Sequence, residues 1–575
     1  MSNQEKKNTF FGGAAILTVG TIIVKIIGAI YKIPLVNILG ESAYGDFNAA
    51  YNVYNFFLTI STAGLPVALS KTISEAHALG RENQVQKVFR VSLFTFLVLG
   101  LFSFFCMSVL AGPMSNIIIN NEKAVWCVMA LSPAVLCVCV MSAFRGHAQG
   151  HSNMVPTTIS QIIEAFFKMV VGLGLAVLVL FLGYGKDMAA AAAVFGVSVG
   201  TIVALCYLVF YFLRTKKAKV RPATDKATSS RAILSQLIKL AIPITLGSAA
   251  VSIVTLIDTK LVMYQLQEIF SQLDSGVLAA GESDILAKAA VIFSSVQQAA
   301  KEALAKDPTA KVTPILDAAR NLYGTYSSTM TVYNLPSALM VPLTASVIPA
   351  VSACRARRDR VGATQISESA LRVGALLCLP MGIGLFALGG PIVQLLFGDL
   401  DVSIAGPLLS TLGLASIFVC IMLICNSILQ ANGMVNLPIL AVVIGGIVKL
   451  VVNWFLVGNP NIMIYGAPVG TLCCFAAVAG LELFIIHRTI PNPPRLIRAY
   501  FKPLIASVVM GAAAWATYGL LTNFLDLGNS LATIGAIGVG GLLYLVLVLS
   551  LQVISKEDLA LMPKGDKIAR ILRIS

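Results

Sequence analysis

Apolar runs recur along the chain, separated by charged or Gly/Pro-rich breaks. They fall at about 10–37, 47–69, 91–112, 124–143, 155–181, 189–213, 240–263, 325–350, 370–397, 405–430, 437–457, 464–487, 503–524 and 530–553. A helix crossing a hydrocarbon core needs roughly 20 such residues. Only internally hydrogen-bonded segments satisfy their backbone in lipid. The pattern therefore predicts an all-α polytopic membrane protein with fourteen transmembrane helices. The start of the chain is polar through Asn8 and apolar from Phe10 onward, with no small-residue cleavage site after a short apolar core. It reads as an uncleaved first span rather than a removed signal peptide.

Composition supports a lipid solvent. Of 575 residues, 57% are hydrophobic and 12% are charged, and the mean hydropathy is +0.86. Soluble domains carry about 25% charged residues, so a soluble enzyme or nucleic-acid-binding protein is excluded despite a net charge of +15. The charge has a direction. With the N-terminus inside, alternate loops on that side hold 29 Lys and Arg, whereas the short loops opposite hold two, Lys123 and Lys186. That asymmetry predicts cytoplasmic N- and C-termini. The basic runs at 216–221 and 355–360 then read as topology signals and anionic-lipid contacts, not as nucleic-acid sites. Segment 265–322 is different, with seven acids and five bases. Its stretch 283–306 has an apolar helical face and predicts an extracytoplasmic helical insertion, either lying on the membrane surface or serving as a spacer.

The two halves are related. Tyr44, Gly45, Val53, Tyr54 and Asn55 recur 279 positions later as Tyr323, Gly324, Val332, Tyr333 and Asn334. Pro66 and Ser70 correspond to Pro342 and Ser346, and Gln149 and Lys168 to Gln430 and Lys449. Six spans separate the copies, so both start on the same side, as in a parallel repeat. The expectation is two six-helix lobes facing a central cleft. Residues 1–239 form the first lobe with a cytoplasmic linker, 240–500 the second lobe containing the insertion 265–322, and 501–575 two extra spans with a basic cytoplasmic tail. Two lobes rocking about a fixed site suit alternating access.

Ionisable groups at membrane depth are costly and tend to face a cavity or a partner. Lys25, Lys32, Glu164, Lys168, Asp258, Lys260, Lys449 and Glu482 lie in or near the apolar runs. The surplus is cationic. A cavity lined by Lys25, Lys168 and Lys449, with Lys32 nearby, suits a phosphate or pyrophosphate. The repeated amides Asn55 and Asn334 join them as candidate cavity ligands. Asp258 and Glu164 are candidates for ion coupling or gating. Blander readings stand beside these: a structural Glu164–Lys168 pair at i,i+4, Lys32 and Lys260 snorkelling outward, and Glu482 reaching the inner interface.

The 11 cysteines are scattered without a CxxC pair and read as small buried hydrophobes. His147 and His151 are four apart, but their segment contains two glycines, Pro156 follows and no third ligand is visible. They read as a cytosolic loop, and no metal site is expected. No phosphate-binding GxxxxGK[ST] loop is present, so no nucleotide or other cofactor is expected. A proton gradient, a sodium gradient or the membrane potential is the candidate drive.

The segments FRGHAQGHSNMVPTTISQIIEAFFK (144–168), GLPVALSKTISEAHALGR (64–81) and YNLPSALMVPLTASVIPAVS (333–352) resemble the stage V sporulation protein B branch of the multidrug/oligosaccharidyl-lipid/polysaccharide exporter superfamily. That branch is similar to the MurJ-type lipid II flippases. The resemblance covers nearly the whole chain. It implies a non-enzymatic carrier in the bacterial plasma membrane, with a central cavity that moves a lipid-linked oligosaccharide outward. It also implies cell-wall synthesis machinery as a partner and a lipid-tail groove formed by the last two spans. An arginine of the family's first span corresponds here to Lys25 in VKIIG, which keeps the charge without the planar fork. The family's second arginine corresponds to Tyr31, with Lys32 beside it. The family's span-eight arginine position is occupied by Val332, Tyr333 and Asn334. The alternatives are a cation-coupled exporter of drugs or metabolites, a non-transporting scaffold for envelope or spore assembly, and a polytopic glycosyltransferase.

Overall fold

The computed structural model describes residues 3–551, except 63, 152, 217–224, 226, 280, 282, 307–311, 357, 399, 435, 495 and 525. The basic tail expected at the C-terminus lies outside the described residues. Among those described, the chain forms helices and no strand. Eleven helical segments are long and apolar enough to cross a membrane. Large apolar side chains such as Phe102, Phe181 and Trp515 point outward, as a lipid solvent permits.

The chain divides into two compact units, 1–264 and 265–575. The first opens with α1 (Asn3–Thr62), which joins the first two expected runs into one element. Gly40 bends it, with φ of 73° and ψ of 177°, a left-handed conformation that glycine adopts freely. There follow α2 (Leu65–Ala78), α3 (Glu82–Val109), α4 (Val125–Gly150), α5 (Val155–Phe181) and α6 (Lys186–Lys216). The next helix, α7 (Ser230–Asp274), crosses the boundary between the units. Its earlier part contacts α1: Asn52 Nδ2 donates to Thr259 Oγ1 at 3.0 Å, and Ser252 Oγ donates to Thr59 Oγ1 at 3.1 Å.

The second unit continues with α8 (Asp284–Lys306), α9 (Pro314–Ala356), α10 (Arg360–Ala387), α11 (Gly389–Leu396), α12 (Val402–Ala431), α13 (Asn436–Val457), α14 (Gly466–Thr489), α15 (Leu496–Asn523) and α16 (Asn529–Ser550). Packing order repeats between the units. In the first, α4 packs on α3 and α6, and α5 packs on α6; in the second, α12 packs on α10 and α14, and α13 packs on α14. The repeated residues share an environment as well: Tyr44, Val53 and Tyr54 are buried, and so are Tyr323, Val332 and Tyr333. Helices α15 and α16 pack on each other, and α15 leans on α10.

The insertion 265–322 contains a helix, α8, which packs against the end of α7 within the same segment. Phe293 of α8 stacks on Phe270 of α7 with ring centres 5.5 Å apart. Ile285, Leu286 and Ala289 are buried with them, and Gln297 Nε2 donates to Asp274 Oδ1 at 2.7 Å. An apolar helical face with long helices on either side buries itself there first.

Candidate functional site

One cavity of about 350 Å³ lies within the first unit, lined by α1, α4 and α5. Its wall carries Lys25, Tyr31 and Tyr51 from α1, Arg145 from α4, and Gln161, Glu164 and Lys168 from α5. Four of the expected site residues, Lys25, Tyr31, Glu164 and Lys168, therefore meet. Helical spacing explains part of this: Gln161, Glu164, Ala165 and Lys168 follow the i, i+3, i+4, i+7 rule of one helix face. Glycines bring the supporting helix close. A Cβ at Gly200 of α6 would lie 2.6 Å from the Glu164 carbonyl oxygen and 2.9 Å from the Lys168 nitrogen.

The charges are held in different ways. Glu164 pairs with Arg145, whose Nη2 donates to Oε2 at 2.9 Å, and not with Lys168. Arg145 Nε also donates to Ser160 Oγ at 2.9 Å. Lys168 Nζ donates to Tyr51 Oη at 3.1 Å. It sits 4.8 Å from the centre of the Tyr51 ring and 5.4 Å from that of Tyr31. Aromatic faces attract a cation without supplying a counter-charge, so the Lys168 ammonium is held at the cavity wall with no carboxylate against it among the described residues. Tyr31 is buried, and its hydroxyl donates to the Ala193 carbonyl at 3.2 Å. Its contribution is a wall and an anchor to α6, not a free hydroxyl. Lys25 is exposed on the cavity lining. The cavity thus presents three cations against one carboxylate, with Gln161 and Thr21 as further hydrogen-bonding groups. Its volume falls in the range of small-molecule sites, roughly 300–1,000 Å³, and the excess of cationic side chains on its wall is of the sign that suits an anion.

The other expected site residues stand elsewhere. Lys32 is partly buried one turn past Gly28, within range of the Lys168 and Lys25 charges, but does not line the cavity. Asn55 is on α1, its carbonyl accepting from Thr59. Asp258 is buried on α7, next to the Thr259 that Asn52 contacts. Lys260 is exposed. Lys449 and Asn334 belong to α13 and α9 of the second unit, and Asn334 donates to the Met330 carbonyl of its own helix at 2.7 Å. Glu482 is buried, with neither carboxylate oxygen partnered among the described residues. Ala479 and Ile486, on the same helix, belong to a buried apolar cluster.

Arg145 and Tyr51 were not apparent from the sequence as site residues. Arg145 lies between the apolar run of α4 and Gly146, and that glycine suggested a loop. In the structure α4 continues to Gly150, so His147 is helical and His151 caps the helix. The glycines are packing positions instead. A Cβ at Gly150 would lie 2.7 Å from Ile73 Cγ2, and one at Gly146 would lie 3.1 Å from the Pro66 carbonyl.

A second cavity, also about 350 Å³, opens in the second unit between α9, α10, α11, α15 and α16. Val332, Leu335, Met381, Leu385, Met510 and Ile537 are among its lining, which is almost wholly apolar. The Tyr544 hydroxyl at its edge is occupied, donating to the Leu376 carbonyl at 2.8 Å.

Comparison with known proteins adds identity to this geometry. The family model described as "Polysaccharide biosynthesis protein" matches residues 10–354, and that described as "Lipid II flippase MurJ" matches residues 322–534. The chain is 25% identical to the "Uncharacterized membrane protein YabM" of Bacillus subtilis (strain 168), over 99% of this chain and 97% of that one. It is 23% identical to "Stage V sporulation protein B" of the same organism, over 97% of this chain and 98% of that one. Among solved structures, "Lipid II flippase MurJ, inward closed conformation" superposes with a TM-score of 0.63 at 15% identity, covering 93% of this chain and 98% of that one. That likeness concerns the fold.

Proposed function

The chain belongs to the polysaccharide biosynthesis protein family, and from that premise we propose that it is a flippase for a polyprenyl-pyrophosphate-linked saccharide. The cargo is an undecaprenyl-linked unit, first among them the peptidoglycan precursor lipid II, moved from the inner to the outer leaflet of the bacterial plasma membrane. The observation that carries this reading is the cavity in which Lys25, Arg145 and Lys168 converge with Glu164 as the one acid. A diphosphate carries the charge and acceptor oxygens that guanidinium and ammonium groups recognise. The apolar cavity of the second unit supports the reading from the lipid side, because a prenyl chain has no polar groups and asks for an apolar slot with no polar partners to satisfy.

The cycle needs no bond broken, so no catalytic residue is assigned. The carrier opens inward, takes the diphosphate onto Lys25, Arg145 and Lys168, closes, and releases it outward. Glu164 tempers the cationic field, which helps release: a site of three uncompensated cations would hold its anion too tightly to turn over. Asp258 and Glu164 remain the candidate coupling groups for a proton or sodium gradient, and Lys449, Lys32, Asn55 and Asn334 the candidate contacts of other states of the cycle. Related carriers of this fold also export drugs, but a cationic drug calls for an acidic cavity, and this one has the opposite sign.

The test is outer-leaflet exposure of lipid II, read by its accessibility to an externally added lipid II-cleaving enzyme. Cells lacking other flippases are depleted of this protein and complemented with the parent or with Lys25→Ala at equal abundance. Loss of exposure on depletion, restored by the parent and not by Lys25→Ala, supports the proposal. Unchanged exposure on depletion removes lipid II as the main cargo, and full complementation by Lys25→Ala removes the diphosphate cavity.

A further inference from the structure

The chain has four histidines, and three of them converge at one end of the first unit. His77 is in the last turn of α2, His147 in the last turn of α4, and His151 caps α4. The His151 ring lies 4.7 Å from His77 and 4.5 Å from His147, centre to centre. Glu82, the first residue of α3, completes the group, with its Oε1 2.7 Å from His77 Nδ1. One ligand atom each from His77, Glu82 and His151 lies within 4.8 Å of the others.

The three histidines are not equivalent: His77 and His151, with Glu82, bring ligand atoms together, and His147 does not. His151 Nδ1 stands 3.0 Å from the His147 carbonyl oxygen. A carbonyl only accepts, so Nδ1 carries the proton and the lone pair is on Nε2, the arrangement by which backbone carbonyls orient metal-binding imidazoles. His147 does not share the cluster's ligand role. Its ring packs against Phe89 at 4.7 Å and Phe212 at 5.2 Å and serves as the wall behind His151. The surrounding backbone is tight, since Gly150 rests on Ile73 and on the Ser70 carbonyl. A cavity of about 280 Å³ lined by Glu82, His147, His151, Asn153 and Tyr211 adjoins the group and has room for water.

We propose that His77, Glu82 and His151 form a site for a divalent transition metal of the zinc class, with water completing its coordination, which ties the α2–α3 turn to the end of α4. Two imidazoles and one carboxylate suit zinc, cobalt or nickel and not magnesium or calcium, which prefer all-oxygen shells. Metal–nitrogen bonds of about 2.0–2.1 Å are reached by rotating side chains already this close, two of them on solvent-accessible positions. The site is separate from the anion cavity and does not depend on the cargo. Its effect is to clamp three helix ends on the face where charge places the cytoplasm.

The experiment uses the full-length protein in detergent, stripped with a chelator and titrated with Co²⁺ and then Zn²⁺. The expected result is one ion per chain, the visible absorption of a four-coordinate Co²⁺ site, and its displacement by Zn²⁺. His77→Gln and His151→Ala should each weaken binding at least tenfold, while His487→Ala, at the one histidine outside the cluster, leaves it unchanged. His77 is half-exposed, so His77→Gln folds as the parent does and keeps the test open if His151→Ala does not. No Co²⁺ or Zn²⁺ binding by the parent overturns the proposal. So does binding that survives His77→Gln together with Glu82→Gln, or a sulfur-to-cobalt charge-transfer band, which would assign the ion to cysteines.

Discussion

Arg145 of α4 donates to Glu164 of α5 at 2.9 Å, and both side chains are largely withdrawn from solvent, 13% and 25% exposed. The pair joins two helices across the wall of the cavity and sets its net charge. Removing one partner leaves the other charge poorly compensated. A fully buried pair broken this way costs roughly 3–5 kcal/mol. This one faces a cavity, so Glu164→Gln or Arg145→Ala should cost about 1–3 kcal/mol. The two should be strongly non-additive when thermal or denaturant unfolding is followed in detergent. Additive effects in the double mutant would show that the two charges do not stabilise each other. For transport the signs diverge: Arg145→Ala should weaken diphosphate-lipid binding, and Glu164→Gln should tighten it and slow release.

Tyr51 offers Lys168 both a hydroxyl and a ring face. The two contributions separate by mutation. Tyr51→Phe removes the hydrogen bond and keeps the face, so binding of a diphosphate lipid should change by no more than about threefold. Tyr51→Ala removes both and frees the ammonium to wander. A cation–π contact contributes roughly 0.5–2 kcal/mol, so the loss should lie between about twofold and thirtyfold. Binding is measured with the purified protein and an undecaprenyl diphosphate lipid in nanodiscs. Equal loss in both variants would assign the effect to the hydroxyl and retire the ring.

Much of the fold was legible because lipid simplifies the reading: apolar run length decides the helices, and the repeat of Tyr44, Val53 and Tyr54 as Tyr323, Val332 and Tyr333 marks equivalent buried positions. Half of the cavity was legible for the same reason. Lys25 and Lys168 are conspicuous where a cation costs energy. The other half was hidden by rules that hold for soluble chains. Gly146 and Gly150 suggested a loop, yet they are the points where α4 meets α2, so Arg145 and the histidines were read as outside the helix. Spacing along one helix suggested a Glu164–Lys168 pair, whereas the carboxylate turns to a guanidinium on the neighbouring helix. The convergence of His77 and Glu82 on His151 joins residues from separate elements, and no local pattern encodes it.

Gly200 should be one of the least tolerant positions near the cavity. A Cβ there meets backbone atoms of Glu164 and Lys168, which cannot move aside as a flexible side chain would. Gly200→Ala should force α5 and α6 apart and cost about 1–3 kcal/mol, the usual range for overpacking, while displacing both charged residues. Gly174, on the same helix as Lys168 with nothing within 4 Å of its added Cβ, is the control. Gly174→Ala should be neutral or slightly stabilising, because alanine is the better helix former by roughly 1 kcal/mol. Unfolding temperature and complementation together check the pair. If Gly200→Ala unfolds as the parent does, the close approach of α5 and α6 does not position the site.

Glu482 poses the opposite problem, a carboxyl kept where nothing visible rewards it. It is buried, and neither oxygen finds a partner among the described residues; Ala479, Leu483 and Ile486 of the same helix join the apolar cluster around it. A polar group buried without a hydrogen bond costs about 1–3 kcal/mol by mutational measures. Glu482→Met, of similar length and with no polar atoms, should therefore raise the unfolding temperature, by an amount corresponding to about 1–3 kcal/mol. Glu482→Gln keeps an unsatisfied amide and should gain much less. The paired readout is transport. A more stable Glu482→Met protein that still exposes the lipid on the outer leaflet would mark the carboxyl as dispensable. A more stable one that has lost transport would mean that the buried carboxyl is retained for a step of the cycle, since a group that only weakens the resting fold must act in another state of it. A less stable Glu482→Met protein would contradict the premise, because it would require the carboxyl to have a stabilising partner.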